Sequence, residues 1–356
     1  MGATLERVKS GVLLVFLLVA GFLFAIIFGE RYFPSPHPGR VWPEGNHLNG
    51  TPESVLLREG EPWWPLAQNL AWIEEHDPLD YTDYLERLQG AGVELVRVVL
   101  VPWHLHDGWD SIGAYDERRL DELGAMLDAA EERNLSIILS LDIYGELRTE
   151  SHDSREMLWE DNPYNRENGG MLDSPEDFFT DAEAKESYRH RLERLVQEIG
   201  DSEALYAWEF WNEVDLTDNF DESAVCAWHE EMAGFLNRID PAERYITTSF
   251  ADFRRGDCVW KLDGIDIVMV HYYGKDVIER IPELHEQASV YGKPVILEEF
   301  AWGTSAGIDN GDPEGKHLID AIRAARDAGF AAGPMIWWWD SYVEENDLYS
   351  VYSSVD

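Results

Sequence analysis

Positive charge is scarce in this chain. It has 28 lysines and arginines against 70 aspartates and glutamates, which gives a formal net charge of −42. Such a surface repels phosphate, so nucleic acid is excluded as a partner. The acidic residues are spread along the whole sequence and only six of the basic residues are lysines. We interpret this pattern as halophilic, because high salt screens repulsion between carboxylates. An acidic surface for a cationic partner is the alternative.

Cysteine is equally scarce. Cys226 and Cys258 are the two cysteines among 356 residues, so the sequence has neither a disulfide framework nor a CxxC metal-binding motif. The two thiols could pair or stay separate, and the sequence does not decide between these states. The histidines form no HExxH or similar cluster, so we expect no catalytic metal and no cofactor.

One long apolar segment stands out from this polar composition. Residues 11–29 carry no charge and are rich in Leu, Val, Phe and Ile. As a helix they would span about 28 Å, close to the hydrocarbon thickness of a bilayer. Arg7 and Lys9 place residues 1–10 in the cytoplasm by the positive-inside rule. We predict a single-pass anchor in the cell membrane with the rest of the chain extracytoplasmic; cleavage as a signal peptide, followed by secretion, is the alternative.

The remaining sequence divides into a spacer and one large domain. Residues 30–50 contain four prolines among polar residues, which indicates an extended linker. Residues 51–356 alternate apolar, strand-like runs with amphipathic, helix-like segments. This alternation predicts an α/β fold, a (β/α)8 TIM barrel carrying an N-terminal transmembrane helix.

The predicted elements can be placed along residues 51–356. The strands should end near Asn69, Val101, Asp142, Trp211, Ser249, His271, Glu299 and Trp339. The helices should cover 81–89, 117–133, 181–199, 222–236, 277–291 and 315–328, with no clear helix over 251–264.

Aromatic residues are abundant in the predicted connections. The connection over residues 143–180 is long for a βα loop, and a loop of that length at a barrel mouth usually serves binding. The chain has 15 tryptophans, more than a barrel core requires. We therefore predict sugar-stacking platforms at Trp63, Trp64, Trp103, Trp109 and Trp159.

Two glutamates end apolar strands that lie far apart in the sequence. Glu213 follows the aromatic run 208–212, and Glu299 ends another apolar run 86 residues later. Parallel barrel strands bring such residues to one mouth. Two carboxyl groups about 5 to 5.5 Å apart are what glycoside hydrolysis by double displacement needs. With 70 acidic residues, either glutamate alone would be an ordinary loop residue, but the aromatic setting of Glu213 would raise its pKa, as an acid catalyst requires.

The spaced series of strand-end residues over most of 55–350 resembles the clan A glycoside hydrolases, most closely family 5, which contains cellulases and β-mannanases. The resemblance implies a retaining β-glycosidase that hydrolyses O-glycosyl bonds of an oligo- or polysaccharide, of β-1,4-glucan or β-mannan type. It assigns Glu213 as acid/base and Glu299 as nucleophile. It assigns substrate binding to Arg97, Asn212, His271, Tyr273 and Trp339.

Each assigned residue has a physical role and a simpler alternative. Arg97 would hold Glu299 ionised, or would form a structural salt bridge inside the barrel. Asn212 would bind a sugar 2-hydroxyl, an interaction that strengthens at the transition state.

The remaining assignments lie on the sixth and eighth strands. Tyr273 would donate a hydrogen bond to the nucleophile, and His271 would contact the sugar or the acid. Trp339 would stack on a pyranose. A buried histidine or tryptophan is also a common core residue.

Glu298 precedes the nucleophile candidate directly. Neighbours on a strand face opposite sides, so only one of Glu298 and Glu299 should point into the mouth, and the family pattern favours Glu299. Ala301 stands where family members often have glycine. A non-catalytic glycan-binding barrel at the cell surface and a transglycosylase remain alternatives, and the sequence leaves the oligomeric state, the glycan and endo or exo action open.

Overall fold

The computed structural model describes residues 55–70, 81–100, 109–112, 114–150, 158–301, 303–304, 307–308 and 316–337. The chain divides into two units, Met1–Gly45 and Asn46–Asp356, and these residues all lie in the second. The predicted cytoplasmic segment 1–10, anchor 11–29 and linker 30–50 lie outside the described residues. Within the described ranges, no helix combines the length and hydrophobicity needed to cross a bilayer.

Parallel strands form the centre of the described unit. Strands β1 to β5 pair side by side in chain order, and β6 pairs with β7. Every position of β2, β3 and β7 is buried, which explains why these strands read as nearly continuous apolar runs. The strands are β1 (Ala67–Leu70), β2 (Leu95–Val99), β3 (Ser136–Ile143), β4 (Leu205–Asn212), β5 (Tyr245–Thr247), β6 (Val268–Tyr273) and β7 (Val295–Ala301).

Contacts at both ends of this order join the strands into a ring. Ile246 of β5 is linked to Asp266, just before β6, by hydrogen bonds of 2.7 and 2.8 Å. After β7, Ile336 forms a parallel bridge with Phe300 and takes the position of an eighth strand. Asn69 Nδ2 of β1 donates to a β7 carbonyl oxygen at 2.6 Å. The predicted barrel is thus confirmed in its parallel α/β core.

Helices follow the strands as predicted. The boundaries agree with the predicted ones to within three residues. The prediction was wrong for residues 251–264, where a short helix occurs. The helices are α1 (Tyr81–Gly90), α2 (Glu117–Glu132), α3 (Ala182–Ile199), α4 (Glu222–Ile239), α5 (Asp257–Trp260), α6 (Val277–Ala288) and α7 (Lys316–Ala328).

Two of the predicted sugar platforms lie at the wrong end of the barrel. Trp63 packs edge-on against Tyr206 at the N-terminal end of β4, with ring centroids 5.4 Å apart. Trp64 donates through Nε1 to the carbonyl oxygen of Phe330 at 2.8 Å, before the eighth strand position. Sugars are expected at the C-terminal ends of the strands, so the prediction for these two residues was wrong. Trp103 and the Trp109 side chain lie outside the described part of the chain.

The two cysteines, which the sequence left undecided, form a disulfide. Cys226 on α4 pairs with Cys258 on α5, with Cα atoms 5.9 Å apart and a sequence separation of 32 residues. The bond ties the short helix to its neighbour and restricts the unfolded chain, which is worth about 3 to 4 kcal/mol in the chain-entropy account.

Removing this disulfide should lower stability without changing the fold. We expect Cys226→Ala combined with Cys258→Ala to reduce the free energy of unfolding by about 2 to 4 kcal/mol. Urea denaturation of the oxidised protein, with and without reductant, measures the effect. Reductant should destabilise the native sequence and leave the double variant unchanged. Equal midpoints for the native and double-variant proteins under oxidising conditions would contradict the prediction.

Candidate active site

Arg97 of β2 is the centre of a buried charge cluster. Its side chain is 0 % exposed, and Nε and Nη2 donate to the two oxygens of Glu209 at 2.6 and 2.7 Å. Nη1 donates to Glu299 Oε1 at 2.7 Å, and Glu298 Oε1 lies 3.1 Å from Nε. Burial alone would lower the pKa of Arg97, but the charges of Glu209 and Glu298 raise it well above its usual value. The predicted contact with Glu299 and the alternative of a structural salt bridge both occur.

The amide side chains around Arg97 complete its hydrogen bonding. Asn69 Oδ1 accepts from Nη1 at 3.2 Å, and Asn212 Oδ1 accepts from Nη2 at 3.0 Å. Asn212 therefore lies at the C-terminal end of β4 with its oxygen fixed by the guanidinium. It shares Arg97 as a hydrogen-bond partner with Glu299.

Glu213 directly follows β4 in a left-handed backbone conformation, with φ 53° and ψ 48°. This conformation costs a residue with a β-carbon about 1 to 2 kcal/mol. The Glu213 N–H donates to Ser249 Oγ at 3.1 Å, and Ser249 Oγ donates in turn to Glu209 Oε1 at 2.9 Å. Because the turn interrupts strand alternation, Asn212 and Glu213 both reach the site although they are sequence neighbours.

A β-bulge changes the predicted orientation of Glu298. In the β6–β7 register, Val270 pairs with Leu297 but His271 pairs with Glu299, which leaves Glu298 as an extra residue. Both glutamates consequently approach Arg97. The prediction that only one of them could point inward was wrong, because a bulge breaks the alternation on which it was based.

His271 connects three carboxyl groups. Its Nδ1 lies 2.9 Å from Glu213 Oε1 and 3.5 Å from Glu299 Oε2, and its Nε2 lies 3.1 Å from Glu298 Oε2. Burial by itself lowers the pKa of His271, but the charge of Glu299 and the hydrogen bonds with Glu213 and Glu298 raise it well above its usual value. Each ring nitrogen thus lies within hydrogen-bond distance of a carboxyl oxygen. The predicted contact of His271 with Glu213 is present.

Tyr273 lies at the end of β6 and donates its hydroxyl to Glu299 Oε2, as expected. Burial and the charge of Glu299 raise the pKa of Tyr273 well above its usual value, so the phenol stays protonated. Glu299 thus receives hydrogen bonds on both oxygens, from Arg97 and from Tyr273. These two contacts fix the orientation of its carboxyl group.

Glu213 is in a different electrostatic environment. Burial raises the pKa of Glu213 and the charge of Glu299 adds to this effect, while the hydrogen bond from His271 opposes it. A carboxylate oxygen of Glu213, one of Glu299 and a ring nitrogen of His271 all lie within 4.8 Å of one another. Retaining glycosidases place two carboxyl groups about 5 to 5.5 Å apart, one protonated and one ionised. Glu213 and Glu299 are close enough for that spacing.

The same three groups are close enough to hold a metal ion. Glu299 already accepts hydrogen bonds on both oxygens, and Glu213 Oε1 accepts one from His271. The possible ligand atoms of this group are thus already in contact with neighbouring side chains.

Sequence reasoning missed Glu209 and the role of Asn69. Glu209 interrupts an aromatic strand and Arg97 interrupts an aliphatic one, so two opposite charges in buried strands were the available signal. Asn69 Nδ2 donates to the backbone carbonyl of Glu298 at 2.6 Å, which satisfies a group at the bulge. Trp339 lies outside the described residues.

The long connection after β3 contains a cavity of about 410 Å³. Trp159, one of the predicted sugar platforms, is buried and contributes to its lining together with polar and charged side chains. The connection leaves the C-terminal end of β3, on the side of the barrel that carries Glu213 and Glu299. The lining residues are Thr149, Trp159, Glu160, Asn165, Arg166, Glu167 and Asp173.

A protein-family model matches most of this chain. The model for cellulase, glycosyl hydrolase family 5, matches residues 58–342. The chain is 24% identical over 256 residues to mannan endo-1,4-beta-mannosidase 5 of Solanum lycopersicum, covering 67% of this chain and 57% of that protein. The chain thus spans little more than half the length of this relative.

Solved structures show the same fold. An endo-1,4-beta-mannanase from Rhizomucor miehei is 16% identical, with a TM-score of 0.61 over 79% of this chain and 88% of that one. An exo-beta-1,4-mannosidase from Opitutaceae bacterium strain TAV5 is 19% identical, with a TM-score of 0.62 over 84% of this chain and 57% of that one.

Proposed function

The chain belongs to glycosyl hydrolase family 5 and is a glycoside hydrolase, and we propose that it hydrolyses β-1,4-linked mannan with Glu213 as acid/base and Glu299 as nucleophile. The family supports retaining cleavage of β-glycosides. The proposal for mannan is based on the relatives, which are named for endo- and exo-acting β-1,4-mannan enzymes.

One observation carries the assignment of roles. The two carboxyl groups are close together but have different partners. Glu299 receives hydrogen bonds from Arg97 and Tyr273, which orient its carboxyl group for attack on the anomeric carbon. Burial raises the pKa of Glu213, which favours the protonated form that donates to the leaving oxygen. Different surroundings of two neighbouring carboxyl groups distinguish an acid from a nucleophile.

The steps follow from this geometry. Glu299 attacks the anomeric carbon while Glu213 protonates the departing glycosidic oxygen, which gives a glycosyl ester on Glu299. Glu213, now a carboxylate, removes a proton from water as the water oxygen attacks the same carbon and releases Glu299. Asn212 directly precedes Glu213 and is proposed to bind the sugar 2-hydroxyl through its amide nitrogen, because Arg97 holds its oxygen.

Two substitutions should separate the roles of the glutamates. Glu299→Ala should abolish turnover, because no glycosyl-enzyme can form. Glu213→Ala should slow substrates with poor leaving groups by about 10² to 10⁴, while an activated aryl glycoside still glycosylates Glu299 and then stalls. Azide should convert the Glu213→Ala reaction to a β-glycosyl azide and the Glu299→Ala reaction to the α-anomer, as read by NMR of the products.

Glu230→Ala is the matched control, since Glu230 is an exposed glutamate on α4. It should retain full activity and give no azide product. The role assignment fails if both site variants yield the same anomer.

A substrate panel tests the proposed specificity. In dilute buffer and in molar salt, the protein should release oligosaccharides from β-1,4-mannan and glucomannan faster than from β-1,4-glucan. Falling viscosity would indicate endo action, and release of mannose from chain ends would indicate exo action. Cleavage of β-glucans with none of mannan would refute the substrate proposal, and a single product formed by transfer to an added sugar would identify a transglycosylase.

We also propose that the catalytic unit lies outside the cytoplasm, anchored in the cell membrane by residues 11–29. The disulfide between Cys226 and Cys258 supports an oxidising compartment. Protease added to intact cells without a cell wall should cleave the predicted linker and release an active fragment. Fractionation should then find the activity in the supernatant and no longer with the membranes. Recovery of a soluble mature form that begins near Arg31 would show cleavage and secretion instead.

A further inference from the structure

Glu298 takes no part in the proposed double displacement, yet several contacts fix its position. It is the extra residue of the β7 bulge, its side chain is 0 % exposed, and its carbonyl oxygen is bound by Asn69. Its carboxyl group joins two elements of the site, with Oε1 3.1 Å from Arg97 Nε and Oε2 3.1 Å from His271 Nε2. Burying a further carboxyl group costs hydration free energy, which its contacts with neighbouring groups must offset.

His271 lies between the two proposed catalytic carboxyls. Its Nδ1 is 2.9 Å from Glu213 Oε1 and 3.5 Å from Glu299 Oε2. In the double displacement, negative charge leaves Glu299 when the ester forms and appears on Glu213, and it returns when the ester is hydrolysed. A proton on Nδ1 faces the charge in both states, whereas a ring without that proton would present a lone pair to a carboxylate.

The Nδ1 proton also orients the acid. When Nδ1–H donates to Oε1 of protonated Glu213, the acid proton resides on Oε2 and stays available for the leaving oxygen. If Nδ1 had lost its proton, the Glu213 hydroxyl would donate to His271 instead. The doubly protonated ring is thus the form that suits catalysis.

We propose that Glu298 is a positioning residue that keeps His271 doubly protonated and its Nδ1–H directed at Glu213. The proposal rests on the roles proposed above for Glu213 and Glu299. Glu298 accepts the Nε2–H and fixes the ring, and its negative charge opposes loss of the ring proton.

The other charged groups do not replace this contact. On the Nδ1 side, His271 faces Glu213 and Glu299, and the latter is bound by Arg97 and Tyr273. On the Nε2 side it faces Glu298.

Three further charged groups, Arg97, Glu209 and Asp215, lie near the carboxyl partners of His271. Glu298 is near Arg97 and Glu209, and Asp215 contributes a charge near Glu213. Burial raises the pKa of Glu298 to about 7, against the opposing charge of Arg97, so its charge develops over the neutral range. Its effect on His271 should grow as the pH rises through that range.

Glu298→Gln tests the proposal, because the amide keeps the shape and mimics the neutral carboxyl. Below about pH 6 the variant should match the native kcat/KM, since Glu298 is then mostly protonated. Above pH 7 His271 should lose its proton earlier, so the ¹⁵N-detected titration of its ring should move down by about one pH unit, and the alkaline limb of kcat/KM should move down with it. A limb that does not move, or an equal loss at every pH, would overturn the proposal.

Asp215→Asn is the matched control. Asp215 is another buried carboxyl close to Glu213, but it binds the backbone N–H of Ala251 and the side chain of Arg255. This variant should keep the native alkaline limb. If it shifts the limb as far as Glu298→Gln does, general charge near Glu213 is responsible and the proposal is wrong.

A measurement on the native protein avoids dependence on folding of a variant. With ¹⁵N-labelled histidine, NMR at pH 7 should show protons on both nitrogens of His271, identified by the signals missing in His271→Asn. A neutral ring would overturn the proposal. If the native protein proves inactive on every β-glycoside while His271 is doubly protonated, the proposed function fails and the structural effect of Glu298 stands.

Discussion

The contact between Arg97 and its carboxylates is the interaction on which the site depends. A fully buried guanidinium binds Glu209 in bidentate fashion and also Glu299, with Glu298 3.1 Å away. These carboxylates come from β4 and β7, so the pairs form only when three strands, including β2, are in register around the ring. A buried charge without partners costs several kcal/mol, and so the cluster penalises other arrangements of these strands. Its contribution is to specify geometry more than to stabilise the fold.

The cluster also gives the glutamates Glu213 and Glu299 different hydrogen-bond partners. Arg97 and Tyr273 bind Glu299, whereas Glu213 lies at the edge of the cluster and contacts His271. Burial raises the pKa of Glu213, because no guanidinium hydrogen bond compensates the loss of water there. The two glutamates thus differ in their partners over a few ångströms, and His271 Nδ1 lies 2.9 Å from Glu213 and 3.5 Å from Glu299.

Two irregularities of the backbone bring the side chains of Glu213 and Glu298 into the site. Glu213 adopts a left-handed conformation, and the β7 bulge inserts Glu298. Regular strands would send Asn212 and Glu213, or Glu298 and Glu299, to opposite faces. These two irregularities bring several groups to one point, and the regular strands around them hold them in place. The hydrogen bond from Asn69 to the Glu298 carbonyl oxygen shows how the bulge is accommodated.

The sequence by itself determined the order of strands and helices, because apolar periodicity is a local property. It also singled out Glu213 and Glu299 as glutamates at strand ends, while Arg97, His271 and Tyr273 were assigned through the resemblance to family 5. The tertiary structure alone decided which partners these groups have. The pairing of Arg97 with Glu209, the bulge that turns Glu298 inward and the joining of Cys226 to Cys258 all depend on the register between strands or helices distant in sequence. That register is set by packing around the whole ring, and no local pattern encodes it.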